Sequence, residues 1–114
     1  MSVEKFWLVE FGSNLGSFGK GVAVLETGNI FAGDSGYYYT GIYDINNHVL
    51  NAKIKVIRHN PNWNSIIGDV NELNVVFENQ SILNGLDKSI LKGYYVENPS
   101  IQISAKFTKI ADLP

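Results

Sequence analysis

The stretch HVLNAKIKVIRH, residues 48–59, carries the pattern that decides the fold. Apolar side chains recur at every second position, and asparagine or lysine stands between them. This alternation has the period of a β-strand, in which successive side chains point to opposite faces of the sheet. The stretch is therefore predicted to be a strand with one face in a core and the other in water. The core positions are Leu50, Ala52, Ile54 and Val56.

The same period of two extends outward along the chain in both directions. In SIQISAKFTKI, residues 100–110, and in VNELNVVFEN, residues 70–79, apolar and polar side chains again alternate. The first strand is predicted around Trp7, where alternate positions are apolar and the second face is less polar. The remaining strands are predicted at 21–26, 29–33, 37–45 and 89–96.

Short turns separate these strands and set the architecture. Strands joined by short turns favour antiparallel pairing of sequence neighbours, and closure of such a meander removes its exposed edges. We therefore predict a single all-β domain over residues 1–114, a small antiparallel up-and-down β-barrel of seven or eight strands. At most one short helix is expected, in residues 62–68. The turns are predicted at Thr27-Gly28-Asn29, Asn46-Asn47, Asn84-Gly85 and Asn98-Pro99.

Composition excludes several classes of function. The chain has 114 residues, a formal net charge of −2 and no cysteine, which excludes thiolate catalysis and cysteine-based zinc sites. Phosphate-driven nucleic-acid binding needs concentrated basic contacts, and the densest basic group is Lys53, Lys55 and Arg58. No stretch approaches the ~20 apolar residues of a membrane span. A cytoplasmic protein without direct nucleic-acid or membrane contact is expected.

The tetrapeptide Gly33-Asp34-Ser35-Gly36 resembles the surroundings of the nucleophile in trypsin-like proteases and in some esterases. A nucleophilic serine needs a base within hydrogen-bond reach and a group that orients the base. Both histidines follow Ser35, and the C-terminal residues contain none, so neither order of catalytic residues is present. We interpret the tetrapeptide as a tight turn in which Asp34 and Ser35 bond to neighbouring backbone.

Metal binding and acid–base chemistry find no better support in the sequence. His48 and His59 stand without carboxylates at the spacing of metal ligands. A carboxylate pair such as Asp34 with Asp44 is conceivable, but nothing in the spacing selects it. No catalytic residue, metal or cofactor is therefore predicted, and the chain is expected not to be an enzyme.

Four tyrosines on the predicted fourth strand are candidates for a cavity or an interface. On a strand, Tyr37, Tyr39 and Tyr43 share one face, and Tyr38 points to the other. Core packing is one interpretation, since aromatic residues suit strands. The other is a tyrosine-lined cavity or a partner-binding face, because tyrosine is enriched in interfaces and small closed barrels can hold one ligand.

Several segments together resemble the GrlR family, negative regulators of type III secretion with many bacterial relatives of unknown role. The likeness lies in GVAVL, residues 21–25, followed by GNIFAGDSGYYYTGIY, residues 28–43. The strand at 49–59, which ends in Arg58-His59, and the closing SAKFTKI, residues 104–110, are also similar. The likeness covers nearly the whole chain, and its most specific part is residues 33–43.

This resemblance implies a lipocalin-like barrel that forms a homodimer. It also implies a non-enzymatic regulator that sequesters a helix-turn-helix transcriptional activator through direct protein–protein contact. In the family's regulator an acidic run follows the tyrosine-rich strand, and the matching positions here are Asp44, Asn46 and Asn47. These three are the predicted partner-binding residues. The alternative function is that of a carrier for a small apolar ligand in the barrel interior.

Overall fold

The computed structural model describes residues 3–16, 18–65, 68–82 and 88–114, and they form a closed barrel of eight antiparallel strands. Each strand pairs with its neighbours in sequence, and β1 pairs with β8 to close the barrel. This confirms the predicted up-and-down architecture and its strands. The strands are β1 (Lys5–Ser13), β2 (Phe18–Glu26), β3 (Asn29–Gly33), β4 (Tyr37–Asn46), β5 (Val49–Arg58), β6 (Glu72–Ser81), β7 (Lys88–Tyr95) and β8 (Asn98–Asp112).

The segment after β5 is where a short helix was expected, and its described residues are not helical. Ser65 and Gly68 exchange two backbone hydrogen bonds, of 2.9 and 3.1 Å, in an isolated β-bridge. Gly68 has a φ of 114°, which a right-handed helix does not contain. Residues 66 and 67, and the turn predicted at Asn84-Gly85, lie outside the described residues. Over the described part of the chain, no helix has the length and apolar character to span a membrane.

Two tight turns show how the chain reverses direction between strands. Thr27 and Gly28, between β2 and β3, have φ values of 51° and 79°. Asn47 and His48, between β4 and β5, have φ values of 51° and 64°. Turns with two left-handed residues match the twist of the strands they join. The second turn lies one residue later than predicted because Asn46 still pairs in the β4–β5 ladder.

Burial follows the predicted alternation, so the inward face of each strand can be read directly. On β5, Leu50, Ala52 and Val56 are buried, whereas Lys53 and Lys55 are exposed. Because the strands are antiparallel, the turns at 27–28 and 47–48 lie at one end of the barrel, called here the closed end. The turn at 34–36 and the loop at 59–71 lie at the other end, called here the open end.

Candidate functional site

The barrel holds a cavity of about 290 Å³ in its open end. An eight-stranded barrel is just wide enough to be filled by its own side chains or to hold one small ligand. Here inward side chains from every strand except β7 form the wall, and they are mostly apolar. The wall includes Val9, Phe11, Tyr39, Val56, Val75 and Phe107.

Small inward residues on β2 and β3 explain why this end is hollow. Gly19, Gly21 and Ala32 line the cavity and project little or nothing into it. At Gly19 the missing side chain makes room for a ring, since a Cβ there would lie 2.6 Å from Phe11 Cε2. At Gly21 it lets β2 approach β3, since a Cβ would lie 2.4 Å from the carbonyl oxygen of Gly33. Glycine inside a strand commonly marks such a close approach.

The closed end, by contrast, is filled. The space left among its side chains is about 40 Å³. The Trp7 ring meets Phe107 edge to face, with ring centroids 6.0 Å apart, and its Nε1–H donates to the Val3 carbonyl oxygen at 2.9 Å. Phe107 lines both spaces and so belongs to the floor of the cavity. The large buried side chains of this end are Trp7, Leu25, Leu50, Ile82 and Leu91.

An acidic side chain, Asp34, lies in this mostly apolar wall. Its Oδ1 accepts hydrogen bonds from the backbone N–H groups of Gly36 and Tyr37, each at 2.8 Å. Its Oδ2 accepts the hydroxyl hydrogen of Tyr39. Asp34 also donates its own N–H to the Tyr37 carbonyl oxygen at 3.0 Å, which closes the turn. The expected turn is thus confirmed for Asp34, and its carboxylate lines the cavity.

Tyr39 contributes a neutral hydroxyl to the same part of the wall. Burial raises the pKa of its phenol far above the ordinary value, and the hydrogen bond to Asp34 and the nearby charge raise the pKa further. The ring packs against Phe11 with centroids 5.8 Å apart, which fixes its position. Asp34 and Tyr39 therefore form a hydrogen-bonded pair that stays protonated on the tyrosine at neutral pH.

Tyr37 ties the end of the 59–71 loop to the barrel wall. Its hydroxyl donates to the carbonyl oxygen of Val70 and accepts a hydrogen bond from Arg58 Nε at 3.0 Å. The Arg58 guanidinium also donates to Val70 at 2.8 Å and contacts the Asp69 carboxylate at 2.6 Å. Both the donor and one acceptor site of the Tyr37 hydroxyl are thus already used.

The first part of the same loop covers the Asp34 turn. A Cβ on Gly36 would lie 2.5 Å from the Cβ of Trp63, so only glycine lets the tryptophan pack here. The carbonyl oxygen of Gly36 also accepts a hydrogen bond from the His59 N–H at 2.9 Å. Trp63, Asn64 and Ser65 line the cavity, and Trp63 is 52% exposed. The loop therefore forms a partial cover over the mouth.

The structure separates the four predicted tyrosines as their alternation indicated. Tyr37 and Tyr39 line the cavity. Tyr43 also faces inward, but it packs against the main core cluster toward the closed end, and burial raises its pKa. Tyr38 faces outward and is 43% exposed.

The predicted partner-binding residues lie far from this cavity. Asp44, Asn46 and Asn47 are exposed at the closed end, in and beside the β4–β5 turn. The structure therefore does not bring them together with the tyrosine-lined wall. They belong to a separate surface.

Ser35 and the two histidines do not form a hydrolytic arrangement. Ser35 is exposed at the open end, and the nearby His59 ring has its Nε2 3.0 Å from the carbonyl oxygen of Asp34. The ring is thus engaged with backbone and not with the Ser35 hydroxyl. His48 lies at the opposite end of β5. Within the described ranges, no three histidine, aspartate or glutamate side chains are grouped to hold a metal ion.

Sequence reasoning predicted Tyr37 and Tyr39 as cavity candidates but missed the small residues that leave the space open. The signal was available in β2, where Gly19, Gly21 and Ala23 occupy successive inward positions. Small residues at period two on an inward face indicate unfilled space. The cover formed by Trp63 had no comparable signal, because it depends on a contact between two loops.

Comparison with known proteins assigns no family to the chain. No protein-family model matches it, and a search of curated proteins finds no significant match. The resemblance of residues 21–43 to the GrlR family therefore stays a prediction.

Proposed function

We propose that this barrel is a non-enzymatic binding protein that holds one small apolar ligand in its open-end cavity. The observation that carries the proposal is the cavity itself, about 290 Å³ with a mostly apolar wall and a single acidic group, Asp34. Ligand pockets in proteins measure about 300–1,000 Å³ and combine an apolar lining with a few placed polar groups. This cavity lies at the small end of that range, which suits a compact ligand.

A fluorescence titration with N-phenyl-1-naphthylamine, a neutral apolar probe, tests this function. The probe should brighten on binding to the wild-type protein. Ala32→Leu places a large side chain in the cavity and should weaken probe binding by about tenfold or more, because the leucine occupies space that the probe needs. Thr40→Leu introduces the same side chain on the outer face of β4 and should leave binding unchanged.

Two outcomes would contradict the ligand-binding proposal. One is a wild-type protein that does not bind the probe. The other is equal binding by wild type and Ala32→Leu, which would place the probe elsewhere on the protein.

The outer face of the barrel supports a second proposal, contact with another protein. The outer patch, defined here as Val22, Phe31, Tyr38 and Ile42, consists of outward apolar side chains that are 43–59% exposed. They lie on three adjacent strands, and Val22 and Tyr38 flank the same residue of β3, Gly33, in the two ladders. Contiguous exposed apolar patches commonly mark protein interaction sites.

We infer that the outer patch pairs with a second copy of the chain. The resemblance to the GrlR family implies a homodimer, and this patch is the face that we assign to it. A two-fold interface uses the same patch on both subunits, so apolar side chains would meet apolar side chains. The activator that the resemblance implies would then meet the exposed turn with Asp44, Asn46 and Asn47, which leaves the patch free for the dimer.

Sedimentation velocity tests the dimer. Wild type should sediment as a dimer, and Phe31→Glu should sediment as a monomer, because it places a charge in the apolar contact. Lys106→Glu changes charge on the outer face of β8 and should stay dimeric. A monomeric wild type would contradict the dimer, and capture of no helix-turn-helix protein from native extract would count against the regulatory role.

A further inference from the structure

We propose that the cavity selects apolar molecules that carry a hydrogen-bond donor, with an amine preferred over a hydroxyl, and that it rejects carboxylic acids. The selecting group is the Asp34 carboxylate, whose Oδ2 also accepts the hydroxyl hydrogen of Tyr39. This inference rests on the proposed ligand-binding function and names the class of ligand that the same cavity takes.

The first step is the hydrogen-bonding capacity of the pair. A carboxylate has about four acceptor sites, and Asp34 uses three of them on Gly36, Tyr37 and Tyr39. One site on Oδ2 stays available beside the cavity. Tyr39 donates its one hydroxyl hydrogen to Asp34, so its oxygen can only accept a further hydrogen bond. The pair therefore offers acceptors to a ligand.

Three neighbouring donor groups are already engaged within the protein. The Tyr37 hydroxyl hydrogen is already donated to Val70, and the Arg58 guanidinium is engaged with Val70 and Asp69. The Ser65 hydroxyl donates to the Gly68 carbonyl oxygen at 3.0 Å. Ser35, Trp63 and Asn64 also line the cavity and carry hydrogen-bond donors, so the preference for a ligand donor comes from the Asp34 carboxylate and not from the wall as a whole.

Charge strengthens the discrimination. A ligand carboxylate beside Asp34 would place two like charges together in a partly buried space, where repulsion is stronger than in water. An ammonium group there would form a charge-assisted hydrogen bond, which is shorter and stronger than a neutral one. A hydroxyl would form a neutral hydrogen bond, and its affinity should fall between the two.

The cavity also sets the orientation of the ligand. Asp34 lies near the mouth, in the turn beneath the Trp63 cover, while Phe77 and Phe107 line the floor. The donor group would lie near the mouth and the apolar body would extend to the floor. The competing arrangement is an acid held at the rim by Lys20, an exposed cation that also lines the cavity.

Three ligands with the same chain and different head groups test the inference. Octylamine, 1-octanol and octanoate are compared at pH 7 by displacement of N-phenyl-1-naphthylamine. Octylamine should displace the probe at a concentration about tenfold or more below that of octanoate, with 1-octanol between them. This comparison uses the wild-type protein alone and does not depend on any variant folding.

Three variants identify the selecting group. Asp34→Asn keeps an oxygen for the backbone N–H groups of the turn and removes the charge, so octylamine binding should weaken about tenfold while 1-octanol changes little. Tyr39→Phe keeps the carboxylate and should keep the preference for the amine. Lys20→Ala should leave octanoate binding unchanged, whereas an acid held at the rim would be weakened.

The possible outcomes distinguish a failure of the proposed selectivity from a failure of the proposed ligand binding. If the probe binds the wild-type protein and Ala32→Leu weakens that binding, the cavity is a ligand site. This conclusion does not depend on how octylamine, 1-octanol and octanoate compare. Equal displacement by the three ligands, or tighter binding of octanoate, would then overturn the selectivity alone. If the probe does not bind the wild-type protein, the proposed function itself fails.

Discussion

The two ends of the barrel share the same eight strands and differ in the size of their inward side chains. At the closed end, Trp7, Leu25 and Leu50 leave a space of about 40 Å³. At the open end, Gly19 and Ala32 help to leave about 290 Å³. Protein interiors are normally packed as densely as organic crystals, so an unfilled region costs contact energy. The comparison indicates that the closed end supplies stability, whereas the open end keeps an unfilled space in which we propose that a ligand binds.

The largest expected effect comes from emptying the closed end. Trp7→Ala removes a ring that is 4% exposed and should lower the free energy of unfolding by about 3–5 kcal/mol. Trp63→Ala removes the same side chain from the open end, where it is 52% exposed, and should cost about 1 kcal/mol. Guanidinium denaturation measures both. Equal losses would contradict the division of roles between the two ends.

The next effect tests the cover of the open end. Gly36→Ala forces the new Cβ against Trp63, 2.5 Å away, and should cost about 1–3 kcal/mol by displacing the loop. Gly33→Ala is the matched control, because the nearest atom to its Cβ would be 3.7 Å away, an ordinary contact. The control should stay within about 0.5 kcal/mol of wild type in urea unfolding. If the Gly36→Ala protein were as stable as the Gly33→Ala protein, Trp63 would not be packed against Gly36.

Alkaline pH should weaken the open end through Tyr39. Its folded pKa is raised, so the folded protein keeps a proton that the unfolded chain has lost. The stability that the protonated Tyr39 contributes to the folded state is fully present below the unfolded pKa of about 10. It then falls by about 1.4 kcal/mol per pH unit as the pH rises toward the folded pKa.

Urea unfolding between about pH 9 and pH 11 measures this slope on either side of the unfolded tyrosine pKa. Tyr39→Phe should show a shallower decline than wild type, by about that 1.4 kcal/mol per unit. Tyr38→Phe changes an outward phenol on the same strand and should decline as wild type does. If the free energy of unfolding fell with pH at the same rate in wild type and Tyr39→Phe, the prediction would be contradicted.

The smallest effect is expected at the surface of the closed end. Lys109 Nζ lies 3.0 Å from Asp112 Oδ1, and this contact lowers the pKa of Asp112. The stability it confers is present above the unfolded pKa and is lost as the pH falls through the lowered folded value. Asp112 is exposed, so solvent screens the pair. Asp112→Asn should shift the thermal midpoint at pH 7 by about 2 °C or less, and a larger drop would show that the pair is not screened.

The sequence predicted the fold well because a barrel strand has one buried and one solvated face. Leu50 and Lys53 fall on opposite faces for that reason, and the same alternation located four of the eight strands, β1, β5, β6 and β8. The expected helix at 62–68 was wrong in its described part, because Gly68 takes a left-handed conformation and bridges Ser65. A short segment with few periodic positions carries little information about its own conformation.

The cavity was harder to predict, for a different physical reason. Alternation tells which side chains face inward, but whether they fill the interior depends on volumes summed over facing strands. Gly19 and Gly21 indicate space only once their strand is placed opposite the others. The role of Asp34 was half predicted, as a turn residue, and Tyr39 was placed on the same face as Tyr37 without a contact to Asp34.

Among the described strands, the residues that pair across the greatest distance in sequence are those of β1 and β8. Their ladder closes the barrel and runs from Lys5–Asp112 to Ser13–Ile103. The other ladders join strands adjacent in sequence, whose loops close at a small entropic cost. Hairpins can therefore form early, and the cavity wall, which needs both β1 and β8, is complete only after the last closure. A ligand of the cavity should accordingly slow the unfolding rate of the protein and leave its folding rate unchanged.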